Sequence, residues 1–572
     1  MRCPPSTSEL PSAPNTCARA RPMPPDAPVI STTLSLSPRS MGVKLQAAPA
    51  GHQRRRRRAS GSRPPAFGAN RSARRPQGQR RASSLPLEPA GARLLACDRM
   101  ASLSHEFRAQ WALAVPVIVV NLALMGMGVV DTAMAGQVST TAQAAIGLGH
   151  AWVWCPLSFA LGLILALDPL VAQARGAGDA EGVARAVQRG LLLGMLVALP
   201  VAGALLLAGP VFTWFGGLLQ GLAEPGAELS ALLDPEVAGP AAEYSRVSAL
   251  GTPAFLAWLA LRQTLQAMGR LRAIVIVAVL GNGLNVIGNG AFMNGWWGLP
   301  ALGAVGCAWS TVLVEWAMVL GLFAVAWPLL GPLVRPLRPR AAALGPMLRV
   351  VRLGVPIGVA IALESGAFNA IQFLMGSFGS RVMAGHRTAI VIASTSFMVP
   401  LGISMAASVR VGHAVGAGDG DASRRAALVA LISGGAVMAG FGLVFLALPG
   451  PLARAFSQDP AVIAVTLSLL PIAAAFQLFD GLQVVAAGVL RGTADTAWPS
   501  LLNFVGYWVL GLPVGAYLAF GAHEGPRALW WGLAGGLALV AVALLIRVRR
   551  RLSGDVARFD VEGAPAAEES GQ

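Results

Sequence analysis

Charge is what this sequence has least of: 12% of its 572 residues are Asp, Glu, Lys or Arg, against 55% in the apolar class. With a mean hydropathy of +0.60, it carries too few charges to surround the apolar mass it would have to bury, which argues against a soluble globular enzyme. Cysteine is scarce too. Cys3, Cys17, Cys97, Cys155 and Cys307 form no CxxC pair and no regular spacing with histidine, so neither a disulfide framework nor a zinc site is indicated. Acids are outnumbered, 27 against 44 bases, yet residues 1–99 hold 18 of the bases and 4 of the acids. The basic balance therefore belongs to a tail, and its arginines lack the interleaved aromatics of a single-strand-binding arm. No nucleic-acid partner is expected.

Residues 1–99 are rich in Pro, Ser, Arg and Ala, without an apolar stretch that could make a core or a signal segment, and are expected to be disordered. An untranslated extension upstream of a start at Met100 is the preferred reading; a basic cytoplasmic tail and an Arg-rich transit segment stay open.

Beyond Met100, apolar runs of roughly 20–30 residues recur twelve times, the first near 108–133 and the last near 528–547. About 20 residues of helix cross a bilayer core, and strands need far fewer, so an all-α polytopic membrane protein follows. Arginines crowd one set of alternate loops, from Arg175 and Arg185 to the cluster Arg547 to Arg551, while the other set has Arg381, Arg454 and Arg527. By the positive-inside rule both termini face the cytoplasm. Landmarks repeat at a displacement of 240: Pro116 with Pro356, each expected to begin an apolar helix, and GAGD at 176–179 with GAGD at 416–419. Two pseudo-symmetric six-helix lobes, 100–330 and 350–550, joined by a cytoplasmic linker 331–349 and followed by a cytoplasmic tail 551–572, are the natural division. Six being even, the second lobe repeats the orientation of the first, and two such bundles meeting across a cleft are built to rock.

Carboxylates at bilayer depth cost several kcal/mol, so each is a functional candidate. Asp131, Glu364 and Asp480 are flanked by apolar turns with no base at helical spacing, and such acids can hold a proton or exchange it for a cation near neutral pH. For Glu315, a buried pair with Arg262 or a backbone partner weighs as much as a role in coupling; Asp168 is expected to serve as an interfacial cap or hydrogen-bonding group. Asn285 and Asn289 share a face of the fifth helix, where interhelical packing or a ligand site would serve equally. The pairs Trp296, Trp297 and Trp530, Trp531 suit interfacial belts. His386 and His413 are expected to be structural, and the GAGD segments to be tight turns with glycine supplying backbone freedom.

Several ordered segments resemble the multidrug and toxic compound extrusion (MATE) transporters, in their NorM-like branch: VDTAMAG (130–136), VAQARGAGD (171–179), RLGVPIGVAIALESGAF (352–368), FMVPLGISMAASVRVGHAVGAGD (397–419) and FQLFDGLQVVAAGVLRGTAD (476–495) with YWVLGLPVG (507–515). The resemblance runs from about Phe107 to Arg550 and implies a V of two six-helix lobes. It also implies a secondary active antiporter of the cell (inner) membrane, a monomer that exports small, cationic amphipathic compounds in exchange for Na⁺ or H⁺ and needs no cofactor beyond that coupling ion. On the matching positions, Glu364 and Asp480 with Phe397 would bind the cation, with Na⁺ as a possible metal there, while Asp131 would serve the first lobe. Arg387 stands where relatives usually carry Gln, which puts the cationic preference in question, and Glu315 stands where they carry an aromatic or apolar residue. A lipid-linked oligosaccharide flippase of the same superfamily and a polytopic membrane enzyme are the rival readings. Intramembrane bases are few for the first, and no metal-cluster motif supports the second.

Overall fold

A computed structural model describes the backbone of residues 89–222 and 234–562, with side chains from 104–217 and 234–562. Twelve long helices organise it: α1 (Pro89–Val138), α2 (Thr140–Gly176, with a break near Ala166), α3 (Ala180–Leu206), α4 (Pro235–Ala267), α5 (Arg272–Phe292), α6 (Gly303–Val334), α7 (Leu344–Gly376), α8 (Ser380–Gly416), α9 (Gly420–Ala447), α10 (Pro460–Gly492), α11 (Ala497–Gly521) and α12 (Pro526–Ser553). Among the described residues no strand occurs. Only helices and closed barrels satisfy every backbone group without water, and apolar runs this long exceed the roughly 9–11 residues of a barrel strand, which leaves helices. Eleven of the twelve are long and apolar enough to cross a membrane. The remaining one, α4, is diluted by polar residues that it turns inward: Ser245, Thr252, Arg262, Gln263, Thr264 and Gln266 are all buried.

Two expectations are corrected at helix starts. Residues 89–99, assigned to the tail, continue α1 backward, since Ala90, Arg93, Leu94, Leu95 and Ala96 propagate a helix well; residues 1–88 lie outside the described residues. Pro116 and Pro356 do not begin helices but sit well inside α1 and α7. An interior proline removes a helical hydrogen bond, and in membrane helices neighbouring groups re-satisfy the freed backbone. The Ser500 hydroxyl donates to the Pro356 carbonyl and so ties α11 to α7 at this turn.

The duplication is visible as paired contacts between the halves. A side chain on Gly162 in α2 would run into the backbone of α7 at Gly358, and one on Gly402 in α8 would meet Ile118 in α1. Positions 162 and 402, like 118 and 358, differ by 240, so the two crossings are one contact made twice around a pseudo-two-fold axis. Toward the ends where the arginines cluster, called here the Arg-rich end, the same symmetry governs polar groups. Gln173 Nε2 donates to the carbonyl of Gly492 at the end of α10 (2.9 Å), while His413, displaced by 240, places Nε2 2.7 Å from the carbonyl of Ala267 at the end of α4. The GAGD turns follow, with Gly178 at φ 70° and Gly418 at φ 72°, a backbone region that L side chains rarely adopt. Asp179 and Asp419 then cap α3 and α9.

Hydrogen bonds and ion pairs between the halves lie in this Arg-rich half among the described residues: Glu106 pairs with Arg410, Gln110 Nε2 donates to the Ile403 carbonyl (3.0 Å), and Arg262 reaches Met405 Sδ (3.8 Å). Away from it, α1 becomes exposed at Val129 and α7 at Phe373. The polar links that hold the lobes together are thus gathered at the Arg-rich end.

After α12 the chain crosses back over the closed end. Arg558 pairs with Asp179 (2.8 Å), the Phe559 amide donates to Gln173 Oε1 (2.8 Å), Arg349 donates to the Val561 carbonyl (2.7 Å), and Glu562 meets Arg185 (3.1 Å) and Arg189 (3.3 Å). Burial alone would push the Asp179 carboxyl up, but the Arg558 hydrogen bond and the Gly182 amide outweigh it and hold it below the usual carboxylate range. Its contribution is therefore present above the ordinary carboxylate pKa, near 3.9, and is lost only as pH falls through the lower folded value.

Two outcomes follow from these contacts. Gly162→Leu drives a side chain into the α7 backbone and should cost about 1–3 kcal/mol or more, whereas Gly147→Ala, which meets only open space, should stay within about 0.5 kcal/mol; thermal unfolding in detergent compares them. Asp179→Asn should speed tryptic cleavage after Arg558 at neutral pH, followed by mass spectrometry of the released peptide, and an unchanged rate would mean that the ion pair does not hold this segment.

Candidate functional site

Each lobe holds its own buried polar constellation. In the first, the apolar length of α1 carries Asp131 to the level of α5, whose Asn285 and Asn289 are one turn apart and both fully buried. Their amides donate to the same oxygen, Asn285 Nδ2 to Asp131 Oδ1 at 3.0 Å and Asn289 Nδ2 at 2.6 Å. Packing and ligation, left open by the sequence, prove to be combined: Gly288 lets α6 approach so closely that Ser310 Oγ donates to the Asn285 carbonyl (3.3 Å), and this approach aims the two amides. Charge-assisted donors of this kind are the stronger class of hydrogen bond. The Cys307 thiol and the His150 ring complete the surroundings of Asp131.

The second constellation gathers Glu364 of α7 and Asp480 of α10. Each carboxylate lies within the other's electrostatic reach. Gln483, one turn beyond Asp480, lies beside Glu364; its amide faces Asn503 Oδ1 (3.5 Å) and its oxygen accepts from Tyr507 Oη (3.4 Å). Tyr507 is fully buried and belongs to Phe504–Gly511, where α11 widens to π-helical geometry, a departure frequent at functional positions. Asp480 is only 4% exposed, and its Oδ1 has no hydrogen-bond partner. An orphaned carboxylate oxygen this deep costs free energy until something occupies it.

The remaining candidates stand apart. Phe397 is half-buried in α8 against the apolar cluster around Ile403, Ala407 and Val485. Arg387 is exposed. Glu315 does not pair with Arg262: its carboxylate lies against α4 at Gly251, in space that exists because that residue has no Cβ, while Arg262 donates to Asn121 Oδ1 (2.6 Å). Asp168 has the hydrogen-bonding role expected of it: fully buried in α2, it accepts from Gln266 Nε2 (3.4 Å), with the Arg262 and Arg491 charges nearby. His386 and His413 are structural, as expected, but Trp530 is no belt residue. It is fully buried and donates from Nε1 to His386 Nδ1 (3.1 Å), leaving Trp531 exposed. Sequence reasoning missed Gln483, Asn503 and Tyr507. The i+3 spacing of Gln483 from Asp480 was a usable signal; no local pattern marked the other two.

A duplicated twelve-helix body with buried acids in both lobes defines a multi-pass membrane transporter rather than an enzyme. The MatE family profile matches residues 116–290 and 356–517, the two halves in turn. The chain belongs to this family. It is 36% identical to the multidrug resistance protein PmpM of Pseudomonas aeruginosa over 468 residues, 80% of this chain and 94% of the relative. To the probable multidrug resistance protein NorM of Deinococcus radiodurans it is 39% identical over 461 residues, 78% of this chain and 96% of the relative. Solved structures share the fold: the eukaryotic MATE transporter AtDTX14 superposes with a TM-score of 0.68 at 22% identity, covering 79% of this chain and 99% of that one. An outward-facing MATE family transporter gives 0.68 at 19%, covering 78% and 96%.

The Asp131 constellation is separable by a double-mutant cycle. Asn289→Leu should destabilise the protein by about 1–3 kcal/mol by leaving a buried acceptor short of a donor, and combined with Asp131→Asn should show a coupling of about 0.5–3 kcal/mol. Additive effects on detergent unfolding would show that the 2.6 Å contact carries no energy.

Proposed function

We propose that the protein exports small organic, cationic amphipathic compounds from the cell in exchange for Na⁺ or H⁺, by rocking of its two lobes in the cell's inner membrane. The observation that carries this reading is the Glu364 and Asp480 pair with its unpartnered Oδ1. Two neighbouring carboxylates in a low-dielectric interior repel until a proton or a cation sits with them. The surrounding oxygens of Gln483, Asn503 and Tyr507 suit a hard cation, which takes oxygen ligands. Competition between the inorganic cation and a positively charged organic compound for the same negative charge then makes export and ion entry alternate. The drive comes from the ion gradient, and no cofactor takes part.

Asp131, already held by two amides, serves as the acid of the first lobe. Its satisfied partners suit a group that changes protonation without carrying the passenger. Arginine clustering supports a cytoplasmic closed end with both termini on that side. A ligand resets the conformation only through its differential affinity for the two states, so cation entry requires that the bound cation shift the balance toward the inward-open form and the organic compound shift it back. The names of the relatives, multidrug resistance proteins, support organic efflux as the activity.

Asp480→Asn should abolish drug resistance in a pump-deficient host at unchanged membrane abundance, and retained efflux would remove this acid from the mechanism. Proteoliposomes loaded with a cationic dye, under separately imposed sodium and proton gradients, assign the coupling ion; dye movement independent of both gradients would overturn antiport.

A further inference from the structure

Outside the two acid constellations, a groove of about 440 Å³ opens on the surface at the Arg-rich end, between the α4–α5 turn and α6. At its mouth stand Arg270 and Arg272, both exposed. Its lower wall is apolar: Ile276 and Val325, each nearly half exposed, with Leu329. These three belong to the membrane-crossing stretches Arg272–Phe292 and Gly303–Val334. The lobes are joined at this end, so exposed apolar residues here face outward rather than into the cleft. Beside the groove, Trp327 is half exposed and packs on Phe323 with ring centroids 6.2 Å apart, an aromatic pair of the kind that settles at headgroup level.

Among the described residues, no hydrogen bond or ion pair engages either guanidinium. The fold does not require them. The pseudo-equivalent turn after α10 has the same backbone: Gly269 at φ 70° matches Ala494 at φ 59°, Arg270 N donates to the Leu265 carbonyl (2.8 Å) as Asp495 N does to that of Leu490 (2.9 Å). There, however, Asp495 and Ala497 occupy the places of Arg270 and Arg272, and Asp495 is consumed by Arg547 (2.8 Å). Arg272 also begins α5, where the helix dipole disfavours a cation. Two unpaired guanidiniums above an apolar slot at the membrane boundary match one chemistry: a phosphate group with hydrocarbon attached.

We propose that this groove is a binding site for an anionic phospholipid, with Arg270 and Arg272 holding the headgroup phosphate and an acyl chain lying along Ile276, Val325 and Leu329. A zwitterionic lipid offers the same hydrocarbon but carries its own cation to the two arginines, so the site selects net negative charge.

The test uses the full chain in lipid nanodiscs of phosphatidylcholine with and without phosphatidylglycerol. Retained lipid is read by native mass spectrometry and thermal unfolding by tryptophan fluorescence. Wild type should retain phosphatidylglycerol and unfold at a higher temperature in its presence. R270Q/R272Q should lose roughly five-fold in retention per arginine removed, together with that shift, while R270K/R272K, which keeps the charge that orients the chain, should retain part of both. Ile276→Trp fills the slot without altering charge and should weaken retention likewise; should R270Q/R272Q fail to fold, this variant decides. Equal retention by wild type and Ile276→Trp, or an equal shift in R270Q/R272Q, would overturn the proposal. So would reproduction of the wild-type shift in phosphatidylcholine by free glycerol phosphate, which would make the ligand a soluble phosphate.

Discussion

A low-dielectric interior gives a polar group few places to go, and that constraint shapes this protein at every scale. It leaves apolar stretches of this length no option but helices, and it makes each carboxylate at depth either find donors or wait for a passenger. Asp131 takes the first course, with two amides converging on one oxygen. Asp480 takes the second, for its Oδ1 is buried and unmet although Gln483, Asn503 and Tyr507 stand close by and bond one another. The contrast between a satisfied and an unsatisfied acid is the chemical asymmetry on which coupled exchange would draw.

That asymmetry is not a product of the duplicated scaffold. The elements that repeat are those of packing and closure: the crossings at Gly162 and Gly402, the polar contacts of Gln173 and His413, and the turns at Gly178 and Gly418. The acids do not repeat. Displaced by 240, Asp131 falls on Ile371 and Glu364 on Leu124; the turn displacement that relates α4 to α10 carries Asp480 back to Phe255. Duplication therefore supplied the framework, and each lobe acquired its own polar residues within it. Where the two halves differ in chemistry on identical backbone, as at Arg270 and Asp495, the difference is a sign that something other than folding selected the side chain.

Much of the fold was legible because membrane helices must announce themselves by length and apolarity, and because a duplication shows wherever glycine is sterically required. Asp131, Glu364 and Asp480 were legible for the same reason: an acid among apolar turns stands out against its surroundings. Their partners were not. Tyr507 lies in an apolar run and reads as one more aromatic until the π-helical widening of α11 turns it toward Gln483. Trp530 looks identical to Trp531 in sequence, yet one is buried on His386 and the other exposed. Glu315 illustrates the limit from the other side. Its expected partner Arg262 is engaged by Asn121, an arrangement fixed by three helices at once and invisible in any one of them.

Closure at the Arg-rich end and its possible release have different physical characters, and the structure separates them along the membrane normal. At mid-depth the lobes touch through glycine and small apolar groups, with backbone approaching backbone at Gly162 and Gly358. Ile118 of the first lobe packs there with Ile403 and Ala407 of the second, but such apolar contacts are non-directional and give gradually under a small rotation. Farther toward the arginines, the lobes are joined by discrete polar links, Gln173 to Gly492, His413 to Ala267 and Glu106 to Arg410, with residues 558–562 laid over them. Each of these is all or nothing, because a hydrogen bond weakens steeply once its geometry is lost. Water reaching the opening face would solvate the freed groups and recover much of their energy. For the proposed rocking, this arrangement gives a smooth pivot at the centre and a set of breakable links at the end, which is how two stable positions arise in place of a continuum of intermediate ones.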